Sequence, residues 1–147
     1  LKGRLVIVVD DGDRENEGDL VMAASFATPA HINFMAKHGR GIICVPMEGR
    51  ALDALGLHQM VTPSEDPMKT AWTVSVDARR GVTTGISAFD RTRTIQVLID
   101  SKASPSDCPK SRSASLVEKA LTTLPAPLIM NTLTEMAPEP FRSASDS

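Results

Sequence analysis

The chain has 147 residues, which is one domain's worth of sequence and enough to bury a hydrophobic core. Its formal charge is −2 and its basic residues are scattered, which argues against nucleic acid or an anionic membrane as the main partner. No apolar stretch approaches the ~20 residues of a transmembrane helix, and two widely separated cysteines favour a reducing, cytoplasmic location.

Four apolar runs predict β-strands. Leu5–Val9 is continuously apolar and rich in β-branched residues, which predicts a buried strand. Leu20–Ala24 predicts a second strand. Gly41–Pro46 predicts another buried strand that ends at its proline, and Trp72–Val76 alternates like a strand.

Helix signals lie between these runs. Thr28 followed by Pro29 is typical of a helix N-terminus, and Gly39 predicts the end of that helix. Ser87 with Asp90 predicts the start of a later helix. The sequence also predicts a short helix over 48–55 that ends at Gly56, and an apolar helix face formed by Ile95, Leu98 and Ile99.

Strands and helices therefore alternate, which predicts a mixed α/β or α+β layered domain. The composition changes after Ile99, where serine and proline become frequent. Ser115–Glu118 could cap one more helix. The run from Pro125 to Ser147 combines prolines with a serine-rich tail, and we expect it to be weakly ordered.

The most informative segment follows the first predicted strand. This acidic segment, Asp10–Asp19, combines six carboxylates with Arg14 and two glycines. Carboxylates bind divalent cations, and a guanidinium can hold a phosphate or carboxylate in a fixed fork. A solvated acidic turn is the commoner explanation of a charge run. We predict a cation or substrate site here, with the solvated turn as the alternative.

Residue spacing narrows the choice of ion. An EF-hand loop that began at Asp13 would end on Ala24 instead of glutamate, so an EF-hand calcium loop is excluded. Magnesium needs only one or two carboxylates besides water and substrate oxygens, and it fits better. Zinc is poorly supported because Cys44 and Cys108 are far apart and have no closely spaced histidine partner.

Four blocks of sequence then occur in a fixed order: 9–20, 39–46, 70–78 and 81–88. Through these blocks the chain resembles the 3,4-dihydroxy-2-butanone 4-phosphate synthases, which convert D-ribulose 5-phosphate to a four-carbon phosphate and formate in riboflavin biosynthesis. The resemblance runs from Leu5 to about Asp107. It predicts a synthase-like core over residues 1–107 and a divergent, weakly ordered segment over residues 108–147.

The resemblance implies an α+β layered fold, a homodimer with active sites at the subunit interface, and Mg²⁺ or Mn²⁺ as cofactor. On matching positions, it implies that Arg14 contacts the substrate phosphate and that Glu15 binds both metal and substrate. It implies that Asp19 binds or deprotonates the sugar. Further candidates are Glu17 for catalysis and Thr84 and Cys44 for substrate binding.

Several of these positions have structural alternatives. Cys44 lies in an apolar strand, where a thiol is usually a small core residue. Thr83, Thr84 and Ser87 could hold substrate through their hydroxyls, but Ser87 is explained equally well as a helix N-cap. Arg40, between two glycines, could approach a phosphate, although an arginine in a turn is the simpler interpretation.

After Asp107 the family pattern changes. The histidine-containing segments of the family, Arg-Pro-Gly-His and Ala-Gly-His-Thr-Glu-Ala, are not found, and no histidine follows His58. Two hypotheses result. The chain is a magnesium-dependent synthase, or it is a catalytically impaired homologue that keeps the fold and dimer and binds metal or sugar phosphate without turnover.

Overall fold

The structure is a computed structural model. It describes residues 3–9, 18–62, 65, 71–110, 119–120 and 128–133, with side chains described up to residue 110. The candidates Arg14, Glu15 and Glu17 lie outside the described residues, as do Ser115–Glu118 and the tail from residue 134. Among the described helices, none has the length and apolar character needed to cross a bilayer.

The described elements are short and alternate between strand and helix. A 3₁₀ turn, Ala24–Phe26, follows the second strand, and a π-helical segment, Met35–Gly39, continues the first helix. The helices are α1 (Pro29–Phe34), α2 (Gly49–Ala54) and α3 (Ala88–Leu98). The strands are β1 (Val6–Val9), β2 (Gly18–Ala23), β3 (Arg40–Cys44), β4 (Ala71–Trp72), β5 (Lys119–Ala120) and β6 (Leu128–Leu133).

The described strands form two antiparallel sheets. The larger has the order β1-β2-β6-β3, and β4 pairs with β5 in the smaller. The composition predicts that the run from Pro125 onward is weakly ordered. The structure instead places Leu128–Leu133 inside the larger sheet as β6, paired with β2 on one side and β3 on the other. Lys119–Ala120 is also in a strand, so a helix capped at Ser115 does not reach those residues.

The prediction that the first strand is buried is wrong. All four residues of β1 are exposed, with Ile7 60% and Val9 67% accessible. The reason is position. β1 is an edge strand with β2 as its neighbour, so its apolar character does not determine whether other elements cover it.

The core lies between the larger sheet and the helices. Leu20 and Met22 of β2 and Ile43 of β3 pack with the helical segments. Their main helical partners are Ile32, Met35, Leu52, Ile95 and Leu98, all buried. The predicted apolar face of the third helix is thus confirmed at Ile95 and Leu98, whereas Ile99 lies partly buried at its end.

The predicted helix starts are confirmed. The hydroxyl of Thr28 accepts a hydrogen bond from the backbone N–H of His31 at 3.3 Å, and the hydroxyl of Ser87 accepts one from Asp90 at 3.1 Å. The end of the first helical run differs by one residue. Arg40, not Gly39, adopts the left-handed conformation that closes it, with φ of 62°.

Candidate functional site

One end of the larger sheet gathers several of the candidate residues. Val9 pairs with Gly18, so the acidic segment leaves β1 and enters β2 at this end. Asp19 pairs with Thr132, and Arg40 pairs with Leu133 at the start of β3. Asp19 and Arg40 are thus two strand spacings apart, about 10 Å, at the end of the sheet where the acidic segment is attached.

Asp19 and Cys44 also share a face of this sheet. Cys44 and Val21 both lie opposite Met130 of β6, and residues directly opposite each other in an antiparallel sheet project to the same side. Asp19 lies two residues from Val21 and projects with it. The core residues Leu20 and Ile43 occupy the other face. The register therefore brings together two candidates that are distant in sequence.

Asp19 has an unusual environment. Its Oδ1 atom is buried, and it has no hydrogen-bond partner within the part of the chain that the structure describes. Buried carboxylate oxygens are normally paired because desolvation is costly, so such an atom calls for an explanation. An oxygen in this environment is suited to binding a cation or accepting a hydrogen bond from a substrate hydroxyl.

A second group of candidates lies before α3, in the Thr83–Gly85 bend. Asp90 is 4% exposed, and its carboxylate accepts three hydrogen bonds from this bend. Oδ1 accepts from the backbone N–H of Thr83 at 3.1 Å. Oδ2 accepts from the Thr83 hydroxyl at 2.9 Å and from the backbone N–H of Gly85 at 3.1 Å. Thr84, between these two anchored residues, is exposed.

These hydrogen bonds determine the ionisation of Asp90. Burial acts to raise the pKa of its carboxyl group, but the hydrogen bonds from Thr83 and Gly85 outweigh burial and lower the pKa below its ordinary 3.8. Asp90 is therefore a carboxylate at neutral pH. The hydroxyls of Thr83 and Ser87, two of the candidates for substrate contact, both form hydrogen bonds with Asp90.

Gly85 is required by its surroundings. Its φ is 83°, and a Cβ atom at this position would lie 2.5 Å from the carboxylate of Asp77. Asp77 in turn acts on Arg91, whose pKa is lowered by burial and raised by the charge of Asp77, with burial the larger effect. Asp90 thus holds the bend through hydrogen bonds, while the carboxylate of Asp77 occupies the space that a side chain at position 85 would need.

The role of Asp90 is a feature that the sequence did not predict. A glutamate three residues after a serine N-cap normally reaches back to the N-cap N–H. Aspartate is one methylene shorter, and here it accepts from the bend that precedes the helix. The sequence did contain a signal for this role. Position 90 holds aspartate where a capping box has glutamate, and Thr-Thr-Gly precedes the helix.

The described residues contain no group of three or more His, Cys, Asp or Glu side chains arranged to hold a metal ion. His31 and His38 have local partners, because His31 contacts the Thr28 hydroxyl at 3.1 Å and the His38 ring packs at a tilt against Phe34 with a centroid distance of 4.6 Å. Within the described part of the site, Asp19 is thus the carboxylate that the acidic segment contributes.

Residues 1–111 match the family model for 3,4-dihydroxy-2-butanone 4-phosphate synthase. The chain belongs to this family.

Individual relatives agree. The chain is 57% identical over 106 residues to riboflavin biosynthesis protein RibBA of Bacillus subtilis, covering 72% of this chain and 26% of that protein. It is 51% identical over 106 residues to the 3,4-dihydroxy-2-butanone 4-phosphate synthase of Agrobacterium fabrum, covering 72% and 50%. The chain thus spans half or less of the length of these curated relatives.

The fold of a solved synthase also matches. A crystal structure of 3,4-dihydroxy-2-butanone 4-phosphate synthase in complex with two magnesium ions superimposes with a TM-score of 0.84 at 32% identity, covering 97% of this chain and 76% of that one. The predicted α+β fold of the synthase type is therefore confirmed.

Proposed function

We propose that this chain serves the magnesium-dependent conversion of D-ribulose 5-phosphate to 3,4-dihydroxy-2-butanone 4-phosphate and formate, a lyase reaction of riboflavin biosynthesis. Family membership supports the reaction class. The observation that carries the proposal is the buried Oδ1 atom of Asp19, which has no partner among the described residues and lies at the end of the acidic segment.

Asp19 suits a role in proton transfer. The reaction begins with removal of a proton from the carbon next to a ketone, and a carboxylate within hydrogen-bonding distance can accept it. A buried carboxylate oxygen without a protein partner can still accept a hydrogen bond or a proton. We assign Asp19 to binding or deprotonating the sugar.

The donor chemistry fits magnesium. The acidic segment supplies hard carboxylate oxygens, and one of them is the Oδ1 atom of Asp19, which has no hydrogen-bond partner among the described residues. The solved relative contains two magnesium ions, and we assign Glu15 as the ligand in this chain, with Mn²⁺ as the alternative ion. When bound, the metal polarises the C2 carbonyl and makes the neighbouring proton more acidic.

The remaining assignments complete the proposal. Arg14 holds the phosphate in a bidentate contact, and Glu17 is a second group for proton transfer. Cys44 binds substrate from the sheet face that it shares with Asp19, and Thr84 binds substrate through its hydroxyl.

We further propose that the chain forms a homodimer. The exposed apolar side chains of β1, with Ile7 60% and Val9 67% accessible, support coverage by a second subunit. Light scattering at micromolar concentration tests this proposal, and a monomer would contradict it. Cys44 and Cys108 are buried thiols that form no disulfide, which supports a reducing compartment such as the cytoplasm.

Formate release from ribulose 5-phosphate is the deciding experiment. A rate on the order of 1 per second or above, dependent on Mg²⁺, supports the proposal. Asp19→Asn should reduce this rate by about 10²–10⁴-fold if the carboxylate is the base, whereas the exposed control Asp53→Asn should not change it. Sugar phosphate binding without formate release would identify the catalytically impaired homologue.

Manganese binding tests the metal separately. Titration followed by water-proton relaxation should show Glu15→Gln weakening the affinity by about 10–100-fold or more. Equal binding by the wild type and this variant would exclude Glu15 as a ligand.

A further inference from the structure

Asp90 does more than start α3. Its carboxylate accepts from both residues that flank Thr84, namely from the N–H and hydroxyl of Thr83 and from the N–H of Gly85. The backbone on either side of Thr84 is thus tied to a single buried side chain. Thr84 itself is exposed.

The anchor is itself held firmly. The Thr94 hydroxyl donates to the carbonyl of Asp90 at 3.0 Å and accepts from the N–H of Ala78 at 3.0 Å. On the other side, the carboxylate of Asp77 lies where a Cβ atom on residue 85 would be, so it leaves room only for glycine. The bend is therefore fixed to α3 and to the segment before it, which leaves the conformation of Thr84 little freedom.

We propose that Asp90 is a positioning residue that presents the Thr84 hydroxyl for contact with the sugar phosphate. This inference rests on the proposed function, in which Thr84 binds substrate. A preorganised hydroxyl loses less conformational entropy when substrate binds than one on an unrestrained loop. Asp90 therefore acts on affinity through Thr84, without touching the ligand.

The variant Asp90→Asn tests this mechanism selectively. The Asn Oδ1 atom still accepts from the backbone N–H of Thr83, but an NH₂ group replaces the oxygen that accepts from Gly85. The Thr83 hydroxyl can rotate to accept, whereas the Gly85 N–H then faces another donor. One side of the bend is released while the other is retained.

The chain offers a matched control in Asp107. Its carboxylate accepts from the backbone N–H of Ser104 at 3.0 Å and from the Ser104 hydroxyl at 2.7 Å, so it ties down a different turn with the same chemistry. Asp107→Asn should lower stability without changing ligand affinity.

The experiment is a double-mutant cycle on the full chain, with binding measured by calorimetry. The probe is ribitol 5-phosphate, which has a hydroxyl where ribulose 5-phosphate has the reacting ketone and so cannot be converted. We expect Asp90→Asn and Thr84→Ala each to weaken binding by about 3–10-fold. The double variant should bind no more weakly than the more severe of the two single variants, because both substitutions act through the same Thr84 contact.

Additive effects of the two substitutions, or unchanged affinity in Asp90→Asn, would overturn the inference. If Asp90→Asn does not fold, Thr83→Val removes only the hydroxyl donor and should still weaken binding about 2–5-fold. Absence of probe binding by the wild type would also overturn it. Formate release by the wild type tests the proposed function independently of these outcomes.

Discussion

The backbone N–H of Arg40 donates to the carbonyl oxygen of Met35, while Arg40 itself has φ of 62°. This left-handed conformation costs a residue with a side chain roughly 1 kcal/mol relative to glycine. Arg40→Gly should therefore stabilise the fold by about 1 kcal/mol, which raises Tm by roughly 2–4 °C for a chain of this size.

The control for this prediction is Lys37→Gly, three residues earlier. Lys37 lies exposed inside the helical segment, where glycine costs about 0.5–1 kcal/mol. The same new residue should thus change Tm in opposite directions at the two positions, as measured by thermal unfolding. A lower Tm for Arg40→Gly would show that the arginine side chain stabilises the fold by more than its backbone costs.

Gly85→Ala should be strongly destabilising. The new Cβ would lie 2.5 Å from Asp77 Oδ1 on a backbone with φ of 83°, so the bend or the carboxylate must shift. A loss of roughly 1–3 kcal/mol is expected in urea unfolding. Gly49→Ala at the start of α2, where a Cβ meets nothing within 4 Å, should be neutral or stabilising by up to about 1 kcal/mol. Equal effects of the two substitutions would contradict this account.

Asp19→Asn should separate stability from function. The buried Oδ1 atom has no partner among the described residues, so loss of the negative charge relieves a desolvation cost. We expect unfolding in EDTA to show unchanged or raised Tm, while formate release falls. A clear fall in Tm would indicate that Asp19 has a stabilising partner in the fold.

Stability should decline in acid because of Asp90 and Asp107. Hydrogen bonds outweigh burial and lower the pKa of Asp90, and hydrogen bonds from Ser104 lower that of Asp107, both below the ordinary 3.8. A carboxyl group with a lowered pKa in the folded state binds its proton more readily when unfolded. Its contribution to the free energy of unfolding is therefore present above about pH 4 and is lost as the pH falls through the pKa of the folded state.

Urea unfolding from pH 7 to pH 3 measures this dependence. The Asp90→Asn/Asp107→Asn double variant should lose less stability over that interval than the wild type does, each compared with its own value at pH 7. The exposed control Asp53→Asn should follow the wild type. Parallel curves for the wild type and the double variant would assign the acid sensitivity to other groups.

Local signals in the sequence predicted local structure well. The caps at Thr28 and Ser87 were predictable because each depends on residues three positions away. The exposure of β1 and the central place of Leu128–Leu133 were not, because both depend on pairing between distant segments. The acidic segment indicated a candidate site, but the face shared by Asp19 and Cys44 follows only from registers that pass through β6.

The position of β6 also determines the order in which the chain can fold. β2 and β3 are not neighbours in the sheet, and β6, which joins them, comes from the far end of the described chain. During synthesis the β1–β2 hairpin can form early, but the sheet cannot close until Leu133 has left the ribosome. Until then the facing edges of β2 and β3 expose unpaired backbone groups, so a nascent or shortened chain is most prone to aggregation there.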